Sequence, residues 1–259
     1  MIKVMTLNLN GYGTSQGPWP VRVGLLREVI EDACPDVIAL QAVRSDPTQF
    51  QGLNQAEQLA DMFNPFQHQY FQPGMVFGDG SAEGSAIISR LRMVERDYKA
   101  LSRFPKSEDN LQRIFMHAQL RLATGWLHLF NGFFSWVENQ ATLNIQEALQ
   151  DMEGITGPAL LVGDFNTPPE SAALQPLRDH GWTDLWAKFY PERDGFTFFE
   201  AGSLVKRIDY AWANPELLPS VTGIKLVAGE VEGIAARPSD HAGLLVSLDL
   251  QGPGSGLCE

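Results

Sequence analysis

Cysteine is almost absent: Cys34 and Cys258 are the only two in 259 residues. One falls in an expected helix and the other in a Gly-rich tail, so a disulfide framework is not expected and a reducing compartment is favoured. Long apolar runs are missing as well. No stretch approaches the roughly 18 apolar residues of a membrane-spanning helix, and no basic, apolar leader precedes the strand-like residues 2–5. A signal peptide is therefore not read, and the expected location is cytoplasmic. Positive charge is also scarce, with 19 Lys and Arg against 31 Asp and Glu and a formal net charge of -12. Tight non-specific binding to long nucleic acid needs Lys and Arg on the phosphates, and the chain has no basic arm or patch to supply them. A phosphoester substrate stays open, because a bound divalent cation inverts the sign of a carboxylate-lined site. No repeat, linker or membrane-inserting apolar hairpin is visible.

What is present is a chain with 44% hydrophobic residues, enough for one large domain over residues 1–250. Residues 251–259, with Gly252-Pro253-Gly254-Ser255-Gly256, read as a disordered tail. Val21, Leu25, Leu26, Val29, Ile30 and Ala33 recur at helical spacing before Pro35. Further helices are expected at 55–63, around Ala141 to Met152, and at 170–180. Strands are expected at 2–9, 36–41, 67–71, 85–89, 93–101, 114–122, 126–131, 159–162, 207–213, 221–227 and 242–250. Helices alternate with strands, yet several strands are consecutive and must pair antiparallel. That mixture points to sheets sandwiched between helices and away from a single doubly wound sheet.

The organising stretch is Ala159-Leu160-Leu161-Val162-Gly163-Asp164-Phe165-Asn166-Thr167-Pro168. A buried strand that turns at Gly163 leaves Asp164 and Asn166 at its C-terminal mouth, where loops carry function. A plainer reading makes them turn residues, with Thr167 capping a helix begun by Pro168 and Pro169. Similar polar groups end other strands: Asn8, Asp209 in Arg207-Ile208-Asp209-Tyr210, and Asp240-His241 after Ser239. Carboxylates and an amide oxygen suit a hard cation such as magnesium or manganese. A histidine held by an aspartate suits proton transfer to or from water or a leaving group.

Taken with Leu7-Asn8, Leu40-Gln41 and Gly163-Asp164-Phe165-Asn166, these motifs resemble the endonuclease/exonuclease/phosphatase superfamily, in the family's order and across residues 8–241. The resemblance implies a four-layer α/β sandwich of two packed mixed β-sheets flanked by helices, and phosphodiester or phosphomonoester hydrolysis dependent on Mg2+ or Mn2+. It implies that His241 is the catalytic histidine oriented by Asp209 and that Asp164 positions or activates water. Asn166 would contact the phosphate, and Asn8 and Asp240 would lie on the metal side. Arg44 and Arg113 are candidate phosphate contacts. The substrate class stays open between a soluble small phosphoester and nucleic acid, with protein partners unknown.

Two departures run against the pattern. The family's main metal ligand is a glutamate after Leu-Gln, and this chain has Ala42 there, so metal binding should weaken. An Asn-Thr-His strand end in the phosphodiesterase and phosphatase branches is replaced by Asn131-Gly132-Phe133. Glu83 resembles the acidic partner of that missing histidine and is expected to lack a partner. Three explanations stay open: an inactivated variant, a rewired site in which Glu83, Asp240 or Asp164 carries the metal, and, as the alternative function, a pseudoenzyme that binds a phosphorylated ligand or a protein through the old cleft. Phe133, Phe134 and Trp136 could form an aromatic wall beside the site, although such residues are more often core. Trp19, in Gly17-Pro18-Trp19-Pro20, is expected on an exposed rim.

Overall fold

The computed structural model describes residues 1–63, 66–227 and 236–250. In chain order β1 (Ile2–Asn8) leads to α1 (Trp19–Ala33), β2 (Val37–Ser45), α2 (Gln55–Asp61), β3 (His68–Val76), β4 (Ala82–Ser89), β5 (Met93–Ala100), β6 (Ile114–Arg121) and β7 (Trp126–Phe133). Then come α3 (Glu138–Met152), β8 (Ala159–Asp164), α4 (Gln175–Asp179), β9 (Thr183–Asp184) and α5 (Leu185–Phe189). The chain continues with β10 (Phe198–Glu200), β11 (Ser203–Lys206), β12 (Asp209–Ala213), β13 (Val221–Val227) and β14 (Gly243–Leu248). Two six-stranded sheets form, in the orders β13-β14-β1-β2-β4-β3 and β5-β6-β7-β8-β12-β9, and β10-β11 is a separate hairpin.

Each large sheet contains one parallel pair, β1 with β2 and β7 with β8, and is otherwise antiparallel. The parallel strands read as unbroken apolar runs because both faces are covered. Along β8, Leu160 and Val162 point into the layer between the sheets, where Val4, Ala39 and Ile87 meet Leu129 and Ala211. The outer face of the first sheet packs Met5, Leu7 and Leu40 on Leu26 and Ile30 of α1 and Leu59 of α2. The outer face of the second packs Phe130, Leu161 and Trp212 on Ile145 and Leu149 of α3. The four-layer sandwich expected from the sequence is the architecture found.

Polar side chains pin the two sheets together where the parallel pairs end. Gln41 Nε2 donates to Asn131 Oδ1 at 2.7 Å, and Asn131 Nδ2 donates to the carbonyls of Leu40 and Ala86 at 3.1 Å. These bonds lie beside a bulge in β2 between Leu40 and Val43, where Ala42 takes a left-handed φ of 49°. The bulge carries β2 on to Ser45, past the expected end at residue 41.

Several local expectations are corrected. Trp19 is buried at the start of α1, with its Nε1 donating to Gln58 Oε1 at 2.8 Å, and is no rim residue. Cys34 is disulfide-bonded, against the reading from cysteine spacing; Cys258, like the rest of the expected tail at 251–259, lies outside the described residues. The expected helix at 170–180 is a 3-10 turn at Ala172–Leu174 followed by α4, since Pro176 fits only a helix's first turn. Thr167 caps no helix; its hydroxyl donates to the Phe165 carbonyl at 2.8 Å.

Candidate active site

Asn8 ends β1, Asp164 ends β8 and Asp209 opens β12, so one edge of the sandwich receives all three. Asp209 and Asp164 are register partners on adjacent strands. The segment before β14 is tied to the same edge: Ser239 Oγ donates to the Asn8 carbonyl at 2.6 Å and accepts from the His241 amide at 3.2 Å. Asp240 and Ala242 are fixed from the other side, by bonds of 2.8 and 2.6 Å to Phe199 and Thr197.

The side chains then form two adjacent hydrogen-bonded groups. His241 Nδ1 donates to Asp209 Oδ2 at 2.8 Å, and both residues are buried. Asp164 Oδ2 accepts from Asn8 Nδ2 at 2.8 Å and from Asn166 Nδ2 at 3.2 Å, while its Oδ1 accepts from the Asn166 amide at 2.8 Å. Asp164 thus supports a turn, as the plainer reading had it, and also faces the cleft. Burial raises its pKa to about 6, with Asp209 adding to the rise and His241, Asn166 and Asn8 opposing it. His241 is raised as well, by a different cause. Burial works against its charge, but the charge and hydrogen bond of Asp209, then Asp164 and Asp240, lift it to about 9. At neutral pH the pair is an ionised carboxylate and an imidazolium.

These groups line a cleft of about 490 Å3 that also holds Asp240, Ala42, Arg44, Glu83, Arg113, Phe133 and Trp136. The far wall differs from the sequence expectation. Glu83 is not left alone, because Arg44 Nη1 lies 3.3 Å from its Oε2. Arg44 also donates to Ser81 Oγ at 3.3 Å and lies 4.4 Å from the centre of the Phe77 ring. Phe133 is capped by the Arg113 guanidinium 4.1 Å from its centre. Arg113 in turn pairs with buried Asp109 at 2.8 Å, and its Nη1 is buried with no hydrogen-bond partner. Gly132 sits beneath the Phe134 ring, which a Cβ at position 132 would strike. All the predicted site residues except Gly132 and Asp209 line the cleft directly, and those two lie just behind its wall.

Sequence reading missed one residue that builds this edge. Arg22 of α1 is fully buried, and its guanidinium donates to Pro238 O at 3.0 Å, Gly13 O at 2.9 Å, Gly11 O at 3.1 Å and Leu9 O. It fastens the loop after β1 to the segment carrying His241. Its signal was present, since Arg22 shares a helical stripe with Leu25, Leu26 and Val29, while Val21 is exposed.

Cation binding can be judged from the donors. Asp164, Asp209 and His241 bring one ligand atom each to within 4.8 Å of one another, although Asp209 and His241 already face each other. Asp164 and Asp240 are cleft carboxylates with no Lys or Arg at ion-pair distance among the described residues. His241 Nε2, 3.9 Å from Asp240 Oδ1, offsets part of this negative charge, and the remainder fits a cation. Ala42 contributes only a methyl group.

The model of the endonuclease/exonuclease/phosphatase family matches residues 5–241. Exodeoxyribonuclease III of Haemophilus influenzae is 23% identical over 93% of this chain and 97% of its own length. Among solved structures, a 3′ phosphatase from Neisseria bound to a product DNA hairpin superposes with a TM-score of 0.71 at 22% identity, covering 96% of this chain and 100% of that one. A mannosyl-6-phosphatase of Bacteroides thetaiotaomicron superposes with a TM-score of 0.71 at 20% identity, covering 96% and 99%.

Proposed function

The chain belongs to the endonuclease/exonuclease/phosphatase family, whose members hydrolyse phosphoester bonds, and from that premise we propose that residues 1–250 form a phosphodiesterase or phosphatase domain. The observation that supports the reading most is that the Asp209–His241 pair and Asp164, held by Asn8 and Asn166, meet at one cleft, with ligand atoms of Asp164, Asp209 and His241 within 4.8 Å of one another. Asp164 accepts three hydrogen bonds and keeps roughly one acceptor position for water, whose proton it can take in its ionised form. His241, held by Asp209, carries a proton for the phosphoryl oxygen or the leaving group. Arg44, Arg113 and Asn166 line the cleft, and the two guanidinium groups supply positive charge for a phosphate; the Nδ2 hydrogens of Asn166 are already given to Asp164 and the Phe134 carbonyl, so in this arrangement it braces the site. A magnesium or manganese ion held on the side of Asp240 and Asn8 would supply Lewis-acid stabilisation of the developing charge, bound weakly because position 42 lacks a carboxylate.

Ala42 and Phe133 favour a second reading, a pseudoenzyme that binds phosphorylated ligands without turnover. Hydrolysis of bis(4-nitrophenyl) phosphate in millimolar manganese separates the two. The hydrolase reading expects turnover that disappears in His241→Ala and increases in Ala42→Glu. Absence of turnover in both the natural chain and Ala42→Glu, with a phosphoester still bound, would leave the pseudoenzyme reading standing.

A further inference from the structure

Trp136 is half exposed, lines the cleft, and has no ring or cation packed on it among the described residues. Such a residue is costly to leave in water, since Trp side chains are ordinarily buried or partnered. The other exposed tryptophan, Trp126, differs in having the Arg121 guanidinium 4.2 Å from its ring centre. Trp136 is also not on a loose loop. The preceding Phe134 is fully buried between Phe115 and Phe165, its amide donates to the Asp164 carbonyl at 2.9 Å, and its carbonyl accepts from Asn166 Nδ2 at 3.1 Å. Ser135 is buried and accepts from the Val137 amide at 3.1 Å. The backbone on either side of Trp136 is therefore fixed by the same residues that frame the site, so the indole is carried on a rigid base at the cleft. Tyr12, on the loop after β1, adds a second aromatic side chain to the lining.

We propose that Trp136 is a stacking platform that selects phosphoesters bearing a planar ring, and that the preferred substrates are nucleotides or short single-stranded ends, with simple alkyl or sugar phosphates disfavoured. The inference rests on the phosphoester reading of the cleft. Every nucleobase has a π-face, so one exposed indole beside a phosphate-binding group binds bases without reading their sequence. The overall charge of -12 and the absence of a basic surface patch in the sequence agree with a short ligand and weigh against a long duplex.

The test is equilibrium binding by calorimetry with a thymidine dinucleotide and, by competition, dimethyl phosphate. Natural chain, Trp136→Phe and Trp136→Ala are compared, with hydrolysis of the dinucleotide measured in parallel. The expected result is a preference for the dinucleotide that falls at least about fivefold in Trp136→Ala, the loss that removal of one base-stacking ring causes, and is largely kept in Trp136→Phe. A ratio unchanged in Trp136→Ala, or no preference in the natural chain, overturns the proposal. Ring-dependent binding without hydrolysis would sink the hydrolase reading and leave the stacking role intact.

Discussion

The two walls of the cleft are built on opposite principles. On the histidine wall, His241 is held by Asp209 and Asp164 by Asn8 and Asn166, so these side chains are fixed before any ligand arrives. On the far wall, positions where the family resemblance implies a metal-binding glutamate and a second histidine hold Ala42 and Phe133. Guanidinium groups occupy that side: Arg44 on Glu83, and Arg113 on Phe133 and Asp109. The comparison teaches that the hydrogen bonds of the histidine wall are made without any side chain of the far wall. The substituted positions 42 and 133 can therefore differ while that wall stays intact.

The sharpest way to break the comparison is to remove the histidine wall. His241→Ala should lower turnover by about 100-fold or more, the usual contribution of a positioned acid or base, with the melting curve still cooperative. Turnover within a few fold of the natural chain would show that the proton comes from elsewhere. On the far wall, Ala42→Glu should tighten manganese binding by about tenfold or more, because it adds a charged oxygen donor at the cleft; calorimetry with the metal alone reads this without any assay of activity. Unchanged affinity would mean that a side chain at the left-handed position 42 does not reach the cation.

Smaller effects concern stability. Gly132→Thr should destabilise the fold by about 1–3 kcal/mol in urea, because its Cβ runs into the Phe134 ring of a packed aromatic cluster. A neutral result would show that Phe134 can move aside. The histidine wall should also leave a mark on the pH dependence of stability. His241 is raised from 6.5 to about 9 on folding, so its contribution is complete below pH 6.5 and is lost as pH rises through 9. Unfolding free energy should fall over that window by on the order of 2 kcal/mol. Asp209→Asn should flatten the slope, and an equal slope in that variant would place the titration in another group.

Arrangement of the histidine wall was largely legible in the chain itself. Asn8, Asp164, Asp209 and His241 each stand at the end of an apolar strand run, and strand ends in a layered fold gather at an edge. The organising strand at residues 159–162 and the packing of sheets between helices followed from the same patterns, and the four-layer architecture from the family resemblance. Less legible were features set by contacts between distant segments. The hairpin at 198–206 and the two-residue β9 are too short to carry a periodic signal. Trp19, flanked by two prolines and a glycine, looks like loop but is drawn into the core by α2.

The sequence by itself determined which residues could do chemistry and roughly which edge they would reach, because alternation and turn residues dictate where strands end. Only the tertiary structure decided what the substituted positions became. Glu83 found Arg44 across the β2–β4 pair, Phe133 found the guanidinium of Arg113, and Arg22 turned inward to bind four carbonyls. A buried charge takes whatever partner the fold brings within reach, since leaving it unpaired costs more than any local preference of the chain. That choice is made in space between segments far apart in sequence, where no local pattern records it.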